Sequence, residues 1–250
     1  DSSGGNVFAL DTRLANVLTH QMKKPYPSKV QQAVWPHISR AVSSTEAVKT
    51  EQEFRNVLIA AETGSGKSYA YMLPIINNIL KFPDVYNYVS CGDKDTALNN
   101  DAYSYPSVLV LVPNKLLATQ LLEMTCTVLN ALNADEGVMV TAAAIVHESS
   151  ADGWPFRHNM KFAPRILICT PAYVSVFYRN KLHSKALSLC IRHVVLDEAD
   201  MLIDGGYLSH VLAVLDCYRA SNKKTKTKTA IRLSQGHTQS VYSGTVHTPQ

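Results

Sequence analysis

One glycine-rich segment constrains the fold of this chain more than any other feature. The sequence AETGSGKS, residues 61–68, directly follows the apolar run Val57–Ala61 and precedes a stretch with helical periodicity. Gly64 and Gly66 let the backbone approach an anion closely, and successive N–H groups ahead of a helix form a positively polarised nest. A strand, a glycine loop and a helix in this order predict a phosphate-binding loop in a parallel α/β sheet.

The strict form of this motif begins with glycine, whereas this chain has Ala61. The rest of the pattern is present, with Lys67 placed to reach the β- and γ-phosphates and Ser68 placed to put its hydroxyl on Mg²⁺. A simple glycine turn would not explain why Gly-Lys-Ser follows an apolar strand. The predicted nucleotide-binding residues of the loop are Thr63, Gly64, Ser65, Gly66, Lys67 and Ser68.

A second apolar run ends in carboxylates. His193 to Leu196 are followed by Asp-Glu-Ala-Asp at 197–200. We predict that Asp197 holds Mg²⁺ together with Ser68, and that Glu198 orients and activates the attacking water. With Lys67, these two carboxylates form the predicted catalytic set. The alternative is an acidic helix cap after a strand.

Short apolar runs alternate with longer helical stretches along the chain, a pattern typical of βα units that build a sheet buried on both faces. The predicted fold class is α/β, a three-layer sandwich with a mostly parallel sheet. The predicted strands are 57–61, 108–112, 138–146, 165–169, 193–197 and 240–243, and the predicted helices are 12–20, 28–41, 65–80, 115–132, 172–180 and 207–220.

Composition narrows the class of protein. The 250 residues are 46% hydrophobic and 18% charged, as in an ordinary globular domain. The longest apolar runs fall short of the roughly 20 residues that span a bilayer, so no membrane is expected as a partner. The formal net charge of +4 permits a polyanionic partner. Five cysteines without a C-x-x-C pair are predicted to be reduced thiols in an intracellular compartment.

AETGSGKS and Asp-Glu-Ala-Asp together resemble the motifs of the DEAD-box RNA helicases. The segment Tyr26-Pro27-Ser28-Lys29-Val30-Gln31 is similar to the family's Q motif. This resemblance implies that Gln31 reads the adenine edge. The aromatic residue expected seven positions before Gln31 is Lys24 here, which leaves Tyr26 as the nearest ring.

Near the end of the chain, Ser243-Gly244-Thr245 resembles the family's Ser-Ala-Thr motif. The resemblance implies that Ser243, Thr245 and Asp200 couple hydrolysis to strand separation. It also implies a RecA-like P-loop NTPase domain that uses ATP and Mg²⁺. In this family a second RecA-like domain brings an arginine finger and half of the RNA surface, so ATP hydrolysis is expected only when that domain is present.

The predicted organisation follows from this resemblance. Residues 1–41 form the Q-motif region with the N-terminal helices, and residues 42–246 form the first RecA-like domain. The chain ends five residues after Thr245, so the second RecA-like domain is not expected in it. The predicted insertions lie near 42–54, 83–106, 147–164 and 221–238.

The motifs that contact RNA in the family are altered. Pro-Thr-Arg-Glu-Leu-Ala reads PNKLLA at 113–118, and Thr-Pro-Gly-Arg reads TPAY at 170–173. Lysine in place of arginine exchanges a planar fork for a point charge, and tyrosine in place of arginine removes a cation. The predicted RNA-binding residues, with plain loop capping as the alternative, are Pro113, Asn114, Lys115, Thr170 and Pro171.

Three functions remain open. The first is an ATP-dependent RNA helicase or RNA-remodelling factor that acts on structured or ribosomal RNA in ribosome or ribonucleoprotein assembly. The second is a nucleotide-binding scaffold factor that docks on ribonucleoprotein or assembly-factor proteins through its insertions, with little unwinding. The third is another P-loop NTPase that acts on proteins or small molecules. The expected compartment is the mitochondrion or another organelle, with the nucleolus and cytoplasm as alternatives.

Several aromatic residues lie outside these motifs. Trp35 is predicted to be a core residue and His193 an ordinary hydrogen-bonded histidine. A group of tyrosines near the second insertion forms either a protein-docking surface or a packing contact with its own domain: Tyr86, Tyr88, Tyr103 and Tyr105.

Overall fold

The computed structural model describes most of the predicted elements and few of the insertions. The described residues are 10–39, 57–83, 86, 105–133, 142–145, 164–179, 184, 187, 190–216 and 239–245. The predicted insertion 42–54, nearly all of the other three insertions, Tyr88 and Tyr103 lie outside them.

Helices and strands alternate as the sequence predicts. The helices are α1 (Thr12–Asn16), α2 (Lys29–Ser39), α3 (Lys67–Lys81), α4 (Lys115–Asn133), α5 (Pro171–Arg179) and α6 (Ala199–Asp204), and residues 208–216 are also helical. The strands are β1 (Val57–Ala61), β2 (Val108–Leu111), β3 (Ala142–Ile145), β4 (Ile166–Cys169), β5 (His193–Leu196) and β6 (Gln239–Thr245).

Three elements differ most from the prediction. Helix α6 (Ala199–Asp204) lies where no helix is predicted. The helix predicted over 12–20 is a short α-helix followed by a π-helical turn at Val17–Gln21. Strand β6 continues to Thr245, two residues beyond the predicted end, because its backbone pairs with β1 as far as Ala61.

The six strands form one sheet in the order β1-β6-β5-β2-β4-β3, and all five pairings are parallel. Every residue of β2, β4 and β5 is buried. Their uninterrupted apolar sequences are typical of strands covered on both faces. This sheet confirms the predicted α/β class.

Helices pack on both faces of the sheet. Helices α1 to α4 cover one face, where Val108 and Val110 of β2 point into the larger hydrophobic core. Helices α5 and α6 and the helix at 208–216 cover the other face, where Leu109 and Leu111 lie. Alternate residues of one strand therefore supply two cores, as a three-layer sandwich requires.

The tyrosines near the second insertion that the structure describes pack on their own domain. Tyr86 is buried, stacks on His193 and forms a hydrogen bond between its hydroxyl and His193 Nε2. Tyr105 and Trp35 are also buried in the core. Burial, with a smaller contribution from the charge of Arg192, lowers the pKa of His193 to about 3. The predictions for Trp35 and His193 are confirmed.

Candidate nucleotide-binding site

The predicted motifs meet at one edge of the sheet. Parallel strands all present their carboxyl ends at this edge, where α/β sheets bind ligands. Residues 61–68 leave β1 there, and Asp197 leaves β5. The register pairs Ala61 with Thr245 and Leu196 with Tyr242, so Ser243 to Thr245 of β6 lie between the two loops.

The loop between β1 and α3 has the backbone of an anion nest. Gly64 and Gly66 both adopt left-handed conformations, with φ of 81° and 91°. Residues with a Cβ reach this region only at a cost, so glycine is needed at both positions. Ser65 N–H donates to the Glu62 carbonyl at 3.2 Å, which closes the turn. Gly66 then caps α3 and brings the N-terminus of that 15-residue helix to the loop.

The loop itself holds Lys67 in place. The Lys67 side chain is buried, and its ammonium donates to the carbonyls of Ala61 at 2.9 Å and Glu62 at 3.2 Å. A lysine ammonium has three donors, so it can exchange these carbonyls for phosphate oxygens. Lys67 is thus ordered inside the loop that the sequence assigns to phosphate.

The Q-motif segment lies against this loop. Ser28 N–H donates to Gln31 Oε1 at 3.0 Å, and Gln31 N–H donates to Ser28 Oγ at 3.3 Å. This reciprocal pair is a capping box that starts α2, a signal that Ser-x-x-Gln carries in the sequence. A Cβ atom at Gly66 would lie 2.9 Å from Gln31 Nε2. Glycine at 66 therefore permits the close contact between Gln31 and the loop.

A cavity of about 240 Å³ opens between these two segments. Tyr26 lines it but is 75% exposed. A second ring, Tyr69 of α3, lines the same cavity, and Lys24 Nζ lies 5.0 Å from the centroid of that ring. Tyr69 is not part of any predicted motif, and its position directly after Ser68 is the sequence signal that could have identified it.

Carboxylate, hydroxyl and phenol groups meet beside the loop. Asp197 is 9% exposed, and its backbone N–H donates to the Leu111 carbonyl at 2.9 Å. Tyr71 of α3 is fully buried, and its hydroxyl interacts electrostatically with both Asp197 and Ser68. Burial, and then the charge of Asp197, raises the pKa of Tyr71. The two predicted metal ligands therefore share one neighbour.

This donor set fits Mg²⁺. Among the residues that the structure describes, no three His, Cys, Asp or Glu side chains gather as a metal cluster. Mg²⁺ commonly takes one or two protein oxygens and completes its octahedron with water and substrate phosphates. Asp197 and Ser68 supply such oxygens, and the Tyr71 hydroxyl makes no hydrogen bond of good geometry within the described residues.

Glu198 has a strained backbone. Its φ of 50° and ψ of 55° place it in the left-handed region, directly before α6. Such a conformation costs a non-glycine residue about 1–3 kcal/mol and is concentrated at functional sites. The strained turn therefore lies directly after Asp197, at the residue predicted to orient the attacking water.

The predicted RNA-binding residues also lie at this edge. Asn114 Oδ1 accepts a hydrogen bond from Leu117 N–H at 3.0 Å. Asn114 therefore caps α4, as the loop-capping alternative to RNA binding predicts. Lys115 is exposed, and Pro113 is buried. After β4, Thr170 is half-buried. Pro171, also buried, begins α5. A role of these residues in RNA binding stays a prediction.

Solved structures with this fold define the class of the domain. The yeast DEAD-box splicing factor Prp28 matches with a TM-score of 0.60 and 21% identity, over 96% of this chain and 46% of that chain. The DEAD-box helicase Mss116, bound to ssRNA and UDP-BeF, matches with a TM-score of 0.62 and 20% identity, over 94% and 38%. The domain is thus RecA-like.

The family follows from the sequence comparison. The DEAD/DEAH box helicase family matches residues 28–238. This chain belongs to that family and corresponds to the N-terminal domain of a DEAD-box helicase.

Curated relatives agree with this assignment. DEAD-box ATP-dependent RNA helicase 22 of Oryza sativa subsp. japonica is 28% identical over 89% of this chain and 34% of its own length. ATP-dependent RNA helicase DBP9 of Ajellomyces capsulatus is 29% identical over 83% and 28%. The chain therefore spans about a third of the length of these relatives. Within the described residues, no helix is long and apolar enough to cross a bilayer.

Proposed function

We propose that this chain is the first RecA-like domain of an ATP-dependent RNA-remodelling protein. The observation that carries the proposal is the convergence of Lys67, Asp197 and Glu198 at one sheet edge, beside a cavity that Gln31 lines. Membership of a family of ATP-dependent RNA helicases agrees with this arrangement.

In the proposed ATP hydrolysis, different side chains bind the phosphates, the base, the metal ion and the attacking water. The N–H groups of the loop and the ammonium of Lys67 bind the phosphates, and Gln31 contacts the base. Asp197 and Ser68 would hold Mg²⁺, which when bound neutralises charge on the phosphates. Glu198 orients the attacking water and accepts its proton.

The residues proposed to couple ATP hydrolysis to RNA, and those proposed to bind RNA, lie at the same edge of the sheet. Asp200, Ser243 and Thr245 are proposed to link the nucleotide state to RNA, because β6 joins the strands that carry the two loops. Structured or ribosomal RNA would contact residues 113–115 and 170–171. A second RecA-like domain is proposed to supply the cation that the transition state needs.

The cellular role is proposed from the family. We assign the protein to ribosome or ribonucleoprotein assembly, with assembly-factor proteins bound through the insertions. The proposed compartment is the mitochondrion or another organelle, with the nucleolus and cytoplasm as alternatives. A reducing interior in any of them agrees with the free thiols of Cys126, Cys169 and Cys190.

ATP hydrolysis by the full-length protein, with and without RNA, tests the proposal. RNA should raise the rate, and Lys67→Ala and Glu198→Gln should each lower it at least about 100-fold. Glu198→Gln should still bind ATP, because it removes a proton acceptor and keeps the loop intact.

The scaffold alternative predicts another result. It is favoured by the capping role of Asn114 and by Lys115 and Tyr173 in place of the family's arginines. If nucleotide binds but RNA does not change the rate, the remodelling function is wrong and the scaffold function replaces it.

A further inference from the structure

We propose that Tyr69 is the surface on which the nucleotide base stacks in this chain, and that Lys24 competes with the base for the face of that ring. The inference rests on the proposed nucleotide site, because it names the side chains that hold the base there.

The cavity has the size and position for a base. Its volume of about 240 Å³ is below the roughly 300–1,000 Å³ of pockets that enclose whole drug-sized ligands. One wall is formed by Gly64, Ser65 and Gly66 of the phosphate loop, and another by Ser28 and Gln31. A nucleotide whose phosphates lie on the loop would therefore place its base in this cavity.

Two aromatic rings line the cavity, and they differ in how firmly they are held. Tyr26 is 75% exposed in a bend of the irregular segment before α2. Tyr69 is half-buried in the first turn of α3, a helix whose next eleven residues are all buried. A ring that is already ordered loses less conformational entropy when a base stacks on it. Tyr69 is the better stacking surface on this ground.

The position of Lys24 identifies the ring face that the base would use. Lys24 and Tyr69 both line the cavity, and the Lys24 ammonium lies over the ring at 5.0 Å from its centroid. Because both residues line the same cavity, the ring face under the ammonium is the face assigned to the base. A base stacked on an aromatic ring is held more strongly than an exposed cation over the same ring, so the base displaces Lys24.

Calorimetric binding of Mg·ADP to the full-length protein tests the role of Tyr69. Tyr69→Leu, which keeps apolar volume but removes the flat face, should weaken ADP binding by about 5- to 100-fold. Tyr69→Phe keeps the ring and should retain the affinity within about twofold. Thermal melts of both variants show whether each is folded, and the Lys24→Met variant described next carries the test if Tyr69→Leu is not.

Lys24→Met tests the competition. It keeps the length of the side chain and removes its charge, so ADP affinity should rise by about two- to fivefold. A fall in affinity would show that the ammonium binds the nucleotide instead, and would overturn the role given to Lys24.

The remaining outcomes separate this inference from the proposed function. Equal losses in Tyr69→Leu and Tyr69→Phe, or a larger loss in Tyr26→Leu than in Tyr69→Leu, would overturn the stacking role while ADP still binds. If the unmodified protein does not bind Mg·ADP, or Lys67→Ala binds it equally well, the nucleotide site itself is wrong and both proposals fall.

Discussion

Two buried tyrosine hydroxyls have opposite surroundings, and their removal should have opposite effects on stability. The Tyr71 hydroxyl makes no hydrogen bond of good geometry within the described residues, whereas the Tyr86 hydroxyl bonds to His193. Asp197 and Ser68 lie near the Tyr71 hydroxyl but form no hydrogen bond of good geometry with it. A buried polar group without such a bond costs about 1–3 kcal/mol. Tyr71→Phe should therefore leave the free energy of unfolding unchanged or raise it by about 1 kcal/mol, while Tyr86→Phe should lower it by about 1–3 kcal/mol.

Urea unfolding of the two variants, without ligand and with saturating Mg·ADP, measures these changes. If the Tyr71 hydroxyl contacts the Asp197 site when nucleotide is bound, ADP should stabilise Tyr71→Phe less than the unmodified protein. A loss of more than about 1 kcal/mol in unliganded Tyr71→Phe would show that this hydroxyl is already well bonded.

At Glu198 the residue needed for ATP hydrolysis lowers the stability of the folded chain. Its left-handed backbone is strained for glutamate and relaxed for glycine. Glu198→Gly should raise the free energy of unfolding by about 1 kcal/mol, whereas Glu198→Gln, which keeps the strain, should leave it nearly unchanged. Both variants should lose ATP hydrolysis. Thermal melts beside a hydrolysis assay check the prediction, and equal melting of the two variants would contradict it.

At the level of elements, the start of α4 has two separable functions. Asn114 caps the helix through its side-chain oxygen, and the neighbouring Lys115 is exposed. Asn114→Ala should cost about 0.5–2 kcal/mol of stability because it removes the cap. Lys115→Ala should leave stability nearly unchanged and weaken RNA binding, with a shallower dependence on salt. Urea unfolding and RNA titrations at two salt concentrations distinguish the functions. Equal RNA affinity in Lys115→Ala would remove that residue from the RNA surface.

The elements were predictable because their signals are local. Continuous apolar runs marked β2, β4 and β5, and glycine with lysine marked the loop before α3. The contact between Tyr86 and His193 joins residues 107 positions apart, and no local pattern indicates it. The ring of Tyr69 in the cavity likewise depends on how α3 meets the segment around Lys24. Sequence therefore predicts which loops meet, and tertiary packing decides which neighbouring side chains complete the site.

On the scale of the whole molecule, the parallel pairing of strands brings motifs that are far apart in sequence to one edge of the sheet. The loop after β1 and the carboxylates after β5 are separated by more than a hundred residues, yet β6 pairs with both strands. The motifs predicted that these two loops meet, but not that β6 lies between β1 and β5, since strand order within a sheet depends on the crossover connections. The same packing buries His193 at the start of β5, at the end of the strand opposite the site, so this histidine bears on the stability of the domain rather than on the site.

Burial of His193 should make the domain less stable in acid. Its pKa is about 3 in the folded chain against an ordinary value of 6.5, so between these values the unfolded chain binds a proton that the folded chain does not. The free energy of unfolding therefore rises with pH in this window and falls by about 1.4 kcal/mol for each pH unit below 6.5. By pH 5 the loss from this residue should reach about 2 kcal/mol.

His193→Gln removes the titration and keeps a polar partner for Tyr86, so its unfolding free energy should fall less between pH 7 and pH 5 than that of the unmodified protein. His20→Gln, at an exposed histidine, serves as the matched control and should retain the full dependence. Urea unfolding at both pH values measures the three slopes. Because each comparison is a difference within one protein, any fixed cost of replacing the buried ring cancels. Equal slopes in His193→Gln and the unmodified protein would show that His193 is not the group that links acid to unfolding.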